Sequence, residues 1–326
     1  MPKLKPEYLS QENIVLLLTV ALLAGFALLV PGFASAGNLI ALVRGVSILG
    51  VLAIGMGLVV IGRGIDLSMV AVMALSVTWM LSMANDGTPL LVAAGWAFLA
   101  VIAVGVLNGV MIAYAEVPAL FATLATGSFV YGFGRSTLIT QDTVAVTSTD
   151  SFFQWLGATY IGPFPIEIIF FAGTAILAEM ILRMTVFGKY VYLMGDNYLA
   201  ARNVGIPVRP MIVAQYLFSS LVAFTAGIIT AANLLSMSTR IVNSQLLYDI
   251  ILVVVVGGIG LNGGKGGIRN VVIGALLVGI LSNGLTILDV PDLYQKLVKA
   301  LVLLCALIAD SLLNPRNEQT EKQGDI

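Results

Sequence analysis

The sequence predicts an all-α integral membrane protein of about ten transmembrane helices, some of them short or broken. Hydrophobic residues make up 59% of the 326 residues and charged residues only 10%, whereas a soluble domain carries about 25% charged residues. The mean hydropathy is +1.02. Apolar runs recur along the chain with lengths near the roughly 20 residues that a bilayer span requires. Most of the surface must therefore face lipid.

Composition also excludes several kinds of chemistry. The chain contains no histidine, which excludes histidine base catalysis, imidazole metal ligands and Ser-His-Asp triads. Its single cysteine, Cys305, lies in the apolar run LVLLCALIA and is interpreted as a packing residue. The net charge of −1 argues against nucleic acid as a partner. We expect a protein that is not an enzyme and that holds no metal or cofactor of its own.

The apolar segments follow one another in a regular order. The predicted spans are residues 14–30, 39–61, 67–83, 90–114, 117–139, 164–186, 211–234, 246–261, 268–288 and 295–313. The third and eighth are short, and glycine-rich links, GRGID and GLNGGKGG, follow the second and eighth. Short, glycine-interrupted spans are typical of broken helices near a transporter's substrate path. The link at Gly257–Gly267 predicts either a tight re-entrant turn or a plain interhelical loop.

The N-terminus imitates a secretory signal, because Lys3, Lys5 and an apolar run precede the small residues ASA at 34–36. The run Ile14–Val30 is long enough to span the bilayer, so we predict a retained helix.

Lys and Arg residues set the orientation and the domain limits. They are more frequent on the side that holds the N-terminus than on the other side, which predicts that both termini are cytoplasmic. The predicted organisation is a tail at 1–13, one transmembrane domain at 14–313 with an interior loop at about 188–210, and a tail at 314–326.

The longest predicted exterior loop, Gln141–Pro163, contains no Lys or Arg. It carries the aromatic residues Phe152, Phe153 and Trp155. They predict either an interfacial aromatic belt or a docking ledge for a partner.

The longest interior loop contains a short predicted helix. Asp196 or Asn197 can cap its start by accepting backbone N–H bonds, and Gly205 supplies a left-handed stop. A helix of about two turns is marginal in water, so it must pack on another surface. Ala200 and Ala201 permit close approach, either to a partner or to the chain's own membrane domain.

Ionised groups are scarce inside the predicted spans, where each costs at least about 2.5 kcal/mol. Glu179 and Arg183 have the spacing of an ion pair on one helix face. The remaining deep polar residues are mostly neutral: Asn108, Thr123, Thr126, Asn283 and Thr286. They suit a hydroxyl-rich, uncharged solute, or they form interhelical hydrogen bonds.

Asp66 follows Gly62 and Gly64 and can cap the third span, where a helix N-terminus favours negative charge. The alternative is direct contact with a substrate or with the interior loop. Arg135, toward the outer end of its span, lines an entrance or binds backbone carbonyls. The candidate translocation pathway comprises Asp66, Ser68, Asn108, Thr123, Arg135 and Asn283.

Three motifs occur in order along the chain. G-D-N-x-x-A-A-x-x-x-G-I over Gly195–Ile206 resembles the cytoplasmic coupling loop of bacterial ABC permeases of the ribose/galactose/autoinducer-2 import family. GIDLS at Gly64–Ser68 and the glycine-rich segment followed by NGL at Asn283–Leu285 resemble two further signatures of that family. The coupling-loop residues implied are Gly195, Asp196, Asn197, Ala200, Ala201, Gly205 and Ile206.

The resemblance implies the transmembrane permease subunit of an ATP-driven importer in the bacterial inner membrane, with the ABC importer permease fold. Two copies, or one copy and a close paralogue, would form the pathway for a neutral monosaccharide or related polyol. Cytoplasmic ATPase subunits would bind the ATP and seat the short helix, and a periplasmic binding protein would deliver the solute. GLNGGKGG lacks the spacing and the hydroxyl of a phosphate loop, so we expect this chain not to hydrolyse ATP.

Two alternatives remain open. An ABC permease for nucleosides or branched-chain amino acids has the same architecture, but an amino acid requires partners for both of its charges. An ion-coupled secondary transporter requires an acidic midplane group, a position that Glu179 alone would fill.

Overall fold

The computed structural model describes residues 11–147 and 151–313. The predicted tail at 314–326 and most of that at 1–13, with Lys3 and Lys5, lie outside the described residues. The helices are α1 (Gln11–Leu29), α2 (Ala36–Ile61), α3 (Met69–Asn85), α4 (Leu90–Ala113), α5 (Ala119–Phe133), α6 (Ser151–Ala158), α7 (Ile166–Met184), α8 (Val186–Asp196), α9 (Tyr198–Asn203), α10 (Val208–Leu234), α11 (Leu246–Val256), α12 (Ile268–Ile287) and α13 (Asp292–Leu313). A π-helix (Gly134–Leu138) and a 3-10 helix (Thr239–Asn243) complete them.

Each of the ten predicted spans coincides with a helix: α1 to α5, α7 and α10 to α13. Within the described part of the chain, five helices are long and apolar enough to cross a membrane alone, and the pair α7 and α8, bent by 76°, gives a sixth. The third and eighth spans are the short helices α3 and α11, of 17 and 11 residues. The all-α membrane fold with short and broken spans is therefore confirmed.

α2 is the central helix of the bundle. Its residues are buried without interruption over 49–61, and it packs against α7, α10, α11 and α12. Glycines allow these close approaches, because a helix position without a Cβ leaves room for a side chain of the neighbouring helix. Gly50 lies against the Phe171 ring of α7, and Gly57 lies against Val271 of α12.

Two short antiparallel strand pairs lie at one end of the bundle. β1 (Thr143–Ala145) pairs with β4 (Ser236–Ser238), and β2 (Tyr160–Ile161) pairs with β3 (Phe164–Pro165). Strands of two or three residues leave no periodic pattern, so they could not be predicted from the sequence. We call this end the sheet face and the opposite end, which carries α8 and α9, the hairpin face.

The predicted exterior loop folds partly into α6. Phe153 is buried, whereas Phe152 and Trp155 are exposed. Gly157 packs against the backbone of Ala232 in α10, which fixes the helix to the bundle. The loop therefore presents two exposed aromatic side chains on a short helix. Both predicted roles, an interfacial aromatic belt and a docking ledge for a partner, require such exposed aromatic side chains.

Candidate functional site

The helical path is interrupted between α2 and α3, at the GRGID segment. α2 ends at Ile61, and the N–H groups of Gly62, Arg63 and Gly64 bond back to carbonyls of its last turn. Arg63 has a left-handed backbone, with φ of 71°, a conformation uncommon outside glycine. α3 begins at Met69. The helix break that the glycine-rich link predicts is present, and its first backbone N–H groups are hydrogen bonded.

Asp66 is the centre of a polar network at this break. Its side chain is 0% exposed, and Oδ1 accepts hydrogen bonds from the backbone N–H (3.0 Å) and the hydroxyl (2.6 Å) of Ser68. Oδ2 accepts from the Ser219 hydroxyl on α10 at 2.7 Å. Asn108 Nδ2 on α4 donates to Ser68 Oγ at 2.8 Å. The carboxyl group therefore bonds to Ser68, the residue that precedes α3, and not to an N–H of the helix itself, so the predicted capping bond is not formed. Through Ser68 and Ser219, the network joins the start of α3 to α4 and α10.

Thr123, on α5, adds a third helix to the contacts that hold the break. The Leu67 N–H donates to Thr123 Oγ1 at 3.1 Å, and the Thr123 hydroxyl lies 2.8 Å from the carbonyl of Ala119 in its own helix. The Tyr216 hydroxyl of α10 donates to the carbonyl of Ile65 at 3.3 Å. The structure therefore brings together four of the six candidate pathway residues, all of them buried.

Three buried polar atoms near the break have no hydrogen-bond partner among the described residues: Asn108 Oδ1, Gln215 Nε2 and Ser220 Oγ. Gln215 packs directly against Gly62. Within the described chain, no cluster of three or more metal-ligating side chains occurs. The hydrogen-bonding capacity left at this site is that of neutral amide and hydroxyl groups.

The other two candidates lie elsewhere. Arg135, on the π-helix, donates to the carbonyl of Ile139 at 3.2 Å and forms an ion pair with Asp142. Asp142 also pairs with Arg240, whose Nη2 lies 2.7 Å from Oδ2. The hydrogen bond from Arg240 and the positive charge of both arginines hold the pKa of Asp142 below its usual value. This ion cluster ties the end of α5 to the 3-10 helix at the sheet face.

Asn283 forms a reciprocal amide pair with Asn38 of α2. Each side chain donates one N–H to the other's oxygen, at 2.8 and 2.9 Å, and Asn38 also donates to the carbonyl of Phe33 at 2.7 Å. Asn283 therefore serves an interhelical contact between α2 and α12, which was one of the two predicted interpretations of such residues.

The predicted interior loop forms two helices, α8 and α9, where one was predicted. Asn197 caps α9, because its Oδ1 accepts the N–H of Ala200 at 2.9 Å, and Asp196 is the last residue of α8. Gly205 has φ of +85°, as predicted for the left-handed stop. Of the two predicted N-cap residues, the structure therefore selects Asn197.

The two alanines of α9 differ in burial. Ala201 is 4% exposed and packs with Ile206 and Val208 of its own chain, whereas Ala200 is exposed. Val204 is 76% exposed. The surface of α9 that a partner can reach is made by Leu199, Ala200, Arg202, Asn203 and Val204.

The glycine-rich loop between α11 and α12 lies against the root of the α8–α9 hairpin. Gly258, Gly263, Gly264 and Gly266 have positive φ values between 72° and 96°, which favour glycine. The N–H of Gly264 donates to the carbonyl of Ile61 at 2.8 Å. The loop is tightly wound, a feature of the predicted re-entrant turn, and the choice between that turn and a plain interhelical loop stays a prediction.

Residues 38–307 match the protein family described as branched-chain amino acid transport system / permease component. The chain is 33% identical over 302 residues to a ribose import permease protein of Haemophilus influenzae, covering 91% of this chain and 92% of that protein. It is 35% identical to a galactofuranose transporter permease protein of Escherichia coli, covering 80% and 75%. It is 32% identical to an L-arabinose ABC transporter permease protein of Azospirillum brasilense, covering 93% and 88%. No solved structure matches the chain.

Proposed function

This chain belongs to the branched-chain amino acid transport system / permease component family, and we propose that it is the membrane permease subunit of an ATP-driven importer of a neutral monosaccharide or related polyol. One observation carries the proposal: the similarity to ribose import permeases extends over nearly the whole length of both chains. The galactofuranose and arabinose transporter permeases are named for solutes of the same class, the monosaccharides.

The chemistry of the α2–α3 break supports a neutral solute. Its groups are one carboxyl group, from Asp66, surrounded by hydroxyl and amide side chains. No ion pair involves Asp66 among the residues that the structure describes. A zwitterionic amino acid needs partners for both of its charges, and Arg63, the basic residue of the GRGID segment, forms no ion pair with Asp66 among the described residues. The monosaccharide assignment is therefore favoured over the amino acid that the family description also covers.

We assign Asp66, Ser68, Asn108 and Thr123 the task of shaping the border of the translocation path. All four side chains are fully buried, so in this conformation they hold the break rather than line an open channel. Backbone at membrane depth must have its polar groups satisfied. The network meets this requirement where α2 gives way to α3.

The hairpin face is assigned to the cytoplasm. Lys189 and Arg202 lie there, and the ion pair of Arg269 with Glu12, at 2.7 Å, places the start of α1 at the same end. Basic residues accumulate on the cytoplasmic side of membrane proteins. We propose that both termini are cytoplasmic and that the protein lies in the inner membrane.

The partners follow from this orientation. The exposed side of α9, with Ala200 and Val204, would seat in a cytoplasmic ATPase subunit that binds and hydrolyses the ATP. The sheet face would receive the loaded periplasmic binding protein. A second copy of the chain, or a close paralogue, would complete the pathway.

The proposal is tested by reconstituting the chain in nanodiscs with candidate ATPase subunits and binding proteins. ATP hydrolysis is measured with binding proteins loaded with pentoses, hexoses, polyols or leucine. Stimulation by one sugar-loaded or polyol-loaded protein is the expected result. Stimulation by the leucine-loaded protein alone would assign an amino acid permease, and ATP-independent uptake without ATPase association would assign a secondary transporter.

A further inference from the structure

Three backbone segments meet at the root of the α8–α9 hairpin. They are the end of α8 at Gly195, the end of α2 at Ile61, and the glycine-rich loop between α11 and α12. Gly264 N–H of the loop donates to the Ile61 carbonyl at 2.8 Å. The hydroxyl of Tyr192, on α8, donates to the carbonyl of Gly266 at 2.8 Å. We call these five residues, Ile61, Tyr192, Gly195, Gly264 and Gly266, the hairpin junction.

The junction is a contact of backbone against backbone. A Cβ on Gly195 would overlap the Ile61 carbonyl oxygen and lie 2.5 Å from the nitrogen of Gly264. A Cβ on Gly264 would lie 2.8 Å from the nitrogen and Cα of Asp196. No flexible side chain separates the segments, and close-packed interiors transmit displacement. A movement of α8 must therefore move the end of α2 and the loop together.

The end of α2 leads directly to the helix break. Immediately after Ile61, Gly62 packs against Gln215 of α10, and Gly64 packs against the Tyr216 hydroxyl. Asp66 then bonds to Ser219 on the same helix. A continuous series of contacts thus joins the hairpin to the border of the proposed path.

A second series of contacts leads from α9 to α10. Ala201 of α9 packs with Ile206 and Val208, and Val208 is the first residue of α10. Movement of α9 could reach α10 by this route without involving the junction. The two routes differ in the residues that carry them, so they can be separated by substitution.

We propose that the hairpin junction is the element that transmits displacement of α8 and α9 to the α2–α3 break, with Tyr192 and Gly195 as positioning residues for ATP-driven transport. The proposal rests on the proposed function. It assigns transport roles to two residues of α8, outside the exposed side of α9.

The test uses the complete complex of permease, ATPase subunits and loaded binding protein. Tyr192→Phe removes only the hydrogen bond to the loop, and Gly195→Ala inserts a methyl group into the backbone contact. Gly267→Ala is the matched control, because a Cβ there meets its nearest atom, the Tyr192 hydroxyl, at 3.8 Å and φ is −171°. Co-purification, basal ATP hydrolysis, its stimulation by the loaded binding protein, and solute imported per ATP are measured.

Tyr192→Phe should co-purify with the ATPase and keep basal hydrolysis. Stimulation and solute imported per ATP should fall about five-fold in Tyr192→Phe, the equilibrium shift that one lost hydrogen bond produces, and further in Gly195→Ala. Gly267→Ala should match the wild type. If Gly195→Ala does not assemble, the Tyr192→Phe result decides.

Unchanged import per ATP in an assembled Tyr192→Phe complex would overturn the proposal and favour the route through α10. Equal loss of assembly, basal hydrolysis and import would also overturn it, since the junction would then be purely structural. A wild-type chain that binds no ATPase would instead refute the proposed function, and the inference with it.

Discussion

The Asp66 network gives the sharpest prediction about stability. Asp66→Ala removes the acceptor of three hydrogen bonds, from the Ser68 N–H, the Ser68 hydroxyl and the Ser219 hydroxyl. An unsatisfied buried donor costs about 1–3 kcal/mol. The hydroxyls can rotate toward other carbonyls, so we expect a loss of about 3–5 kcal/mol in total.

Asp66→Asn should behave differently. The amide oxygen can keep both bonds from Ser68, and its NH₂ group can donate to the Ser219 hydroxyl, which turns to accept. The substitution leaves the shape of the side chain unchanged, and no cationic partner is left unpaired. We expect the free energy of unfolding to change by no more than about 1 kcal/mol.

The assay is thermal unfolding of the purified chain in detergent, followed by intrinsic fluorescence. At about 2 °C per kcal/mol, Asp66→Ala should lower the midpoint by roughly 6–10 °C and Asp66→Asn by at most about 2 °C. Thr225→Val is the control, because among the described residues that hydroxyl bonds only to the carbonyl of Leu221 in its own helix. Equal losses for the Asn and Ala variants would refute the argument, since they would show that the negative charge, rather than the accepting atoms, supports the break.

Three further predictions concern other parts of the molecule. Because the folded-state pKa of Asp142 is lowered, the stability that its ion cluster contributes is complete above the unfolded pKa of about 3.9 and is lost as the pH falls through the lower folded value. Thermal midpoints should therefore show no Asp142-dependent change from pH 5 to 8, and a difference between wild type and Asp142→Asn that varies within this range would contradict the assignment. Ala200→Glu should leave the midpoint unchanged but abolish co-purification with the ATPase, whereas Ala201→Glu should lower the midpoint because that side chain is 4% exposed; the reverse pattern would show that α9 docks by its other face. A double-mutant cycle of Asn38→Ala and Asn283→Ala should give a coupling energy of about 0.6–1.7 kcal/mol in unfolding measurements, and additive losses would mean that the amide pair is not formed.

The spans could be predicted from sequence because each is a local property. A bilayer requires a long apolar run, and glycine-rich links interrupt such runs visibly. The caps and stops of α9 are equally local, which is why Asn197 and Gly205 were among the predicted residues. The β1 and β4 pairing was missed because its partners are about 93 residues apart, a separation that no local pattern records.

The candidate site was predicted only in part, and for a physical reason. A polar residue in an apolar span must find a hydrogen-bond partner, but the sequence does not say which partner. Asp66, Ser68, Asn108 and Thr123 converge at the break, whereas Asn283 gave the same signal and pairs with Asn38. Ser219 carried the same signal on its own span, but serine in membrane helices so often bonds to its own backbone that it did not stand out.

The hydrogen bonds that hold the α2–α3 break limit how the protein can move. A break whose donors and acceptors were free would bend easily, but this one is bonded to α4, α5 and α10 through Asn108, Thr123 and Ser219. Bending it would expose several polar groups to hydrocarbon, at a cost of a few kcal/mol each. We therefore expect the start of α3, with α4 and α10, to move as one body. The glycine loop and the hairpin would then push against the end of α2 rather than unwind it, so the conformational change should be a rigid tilt about the junction.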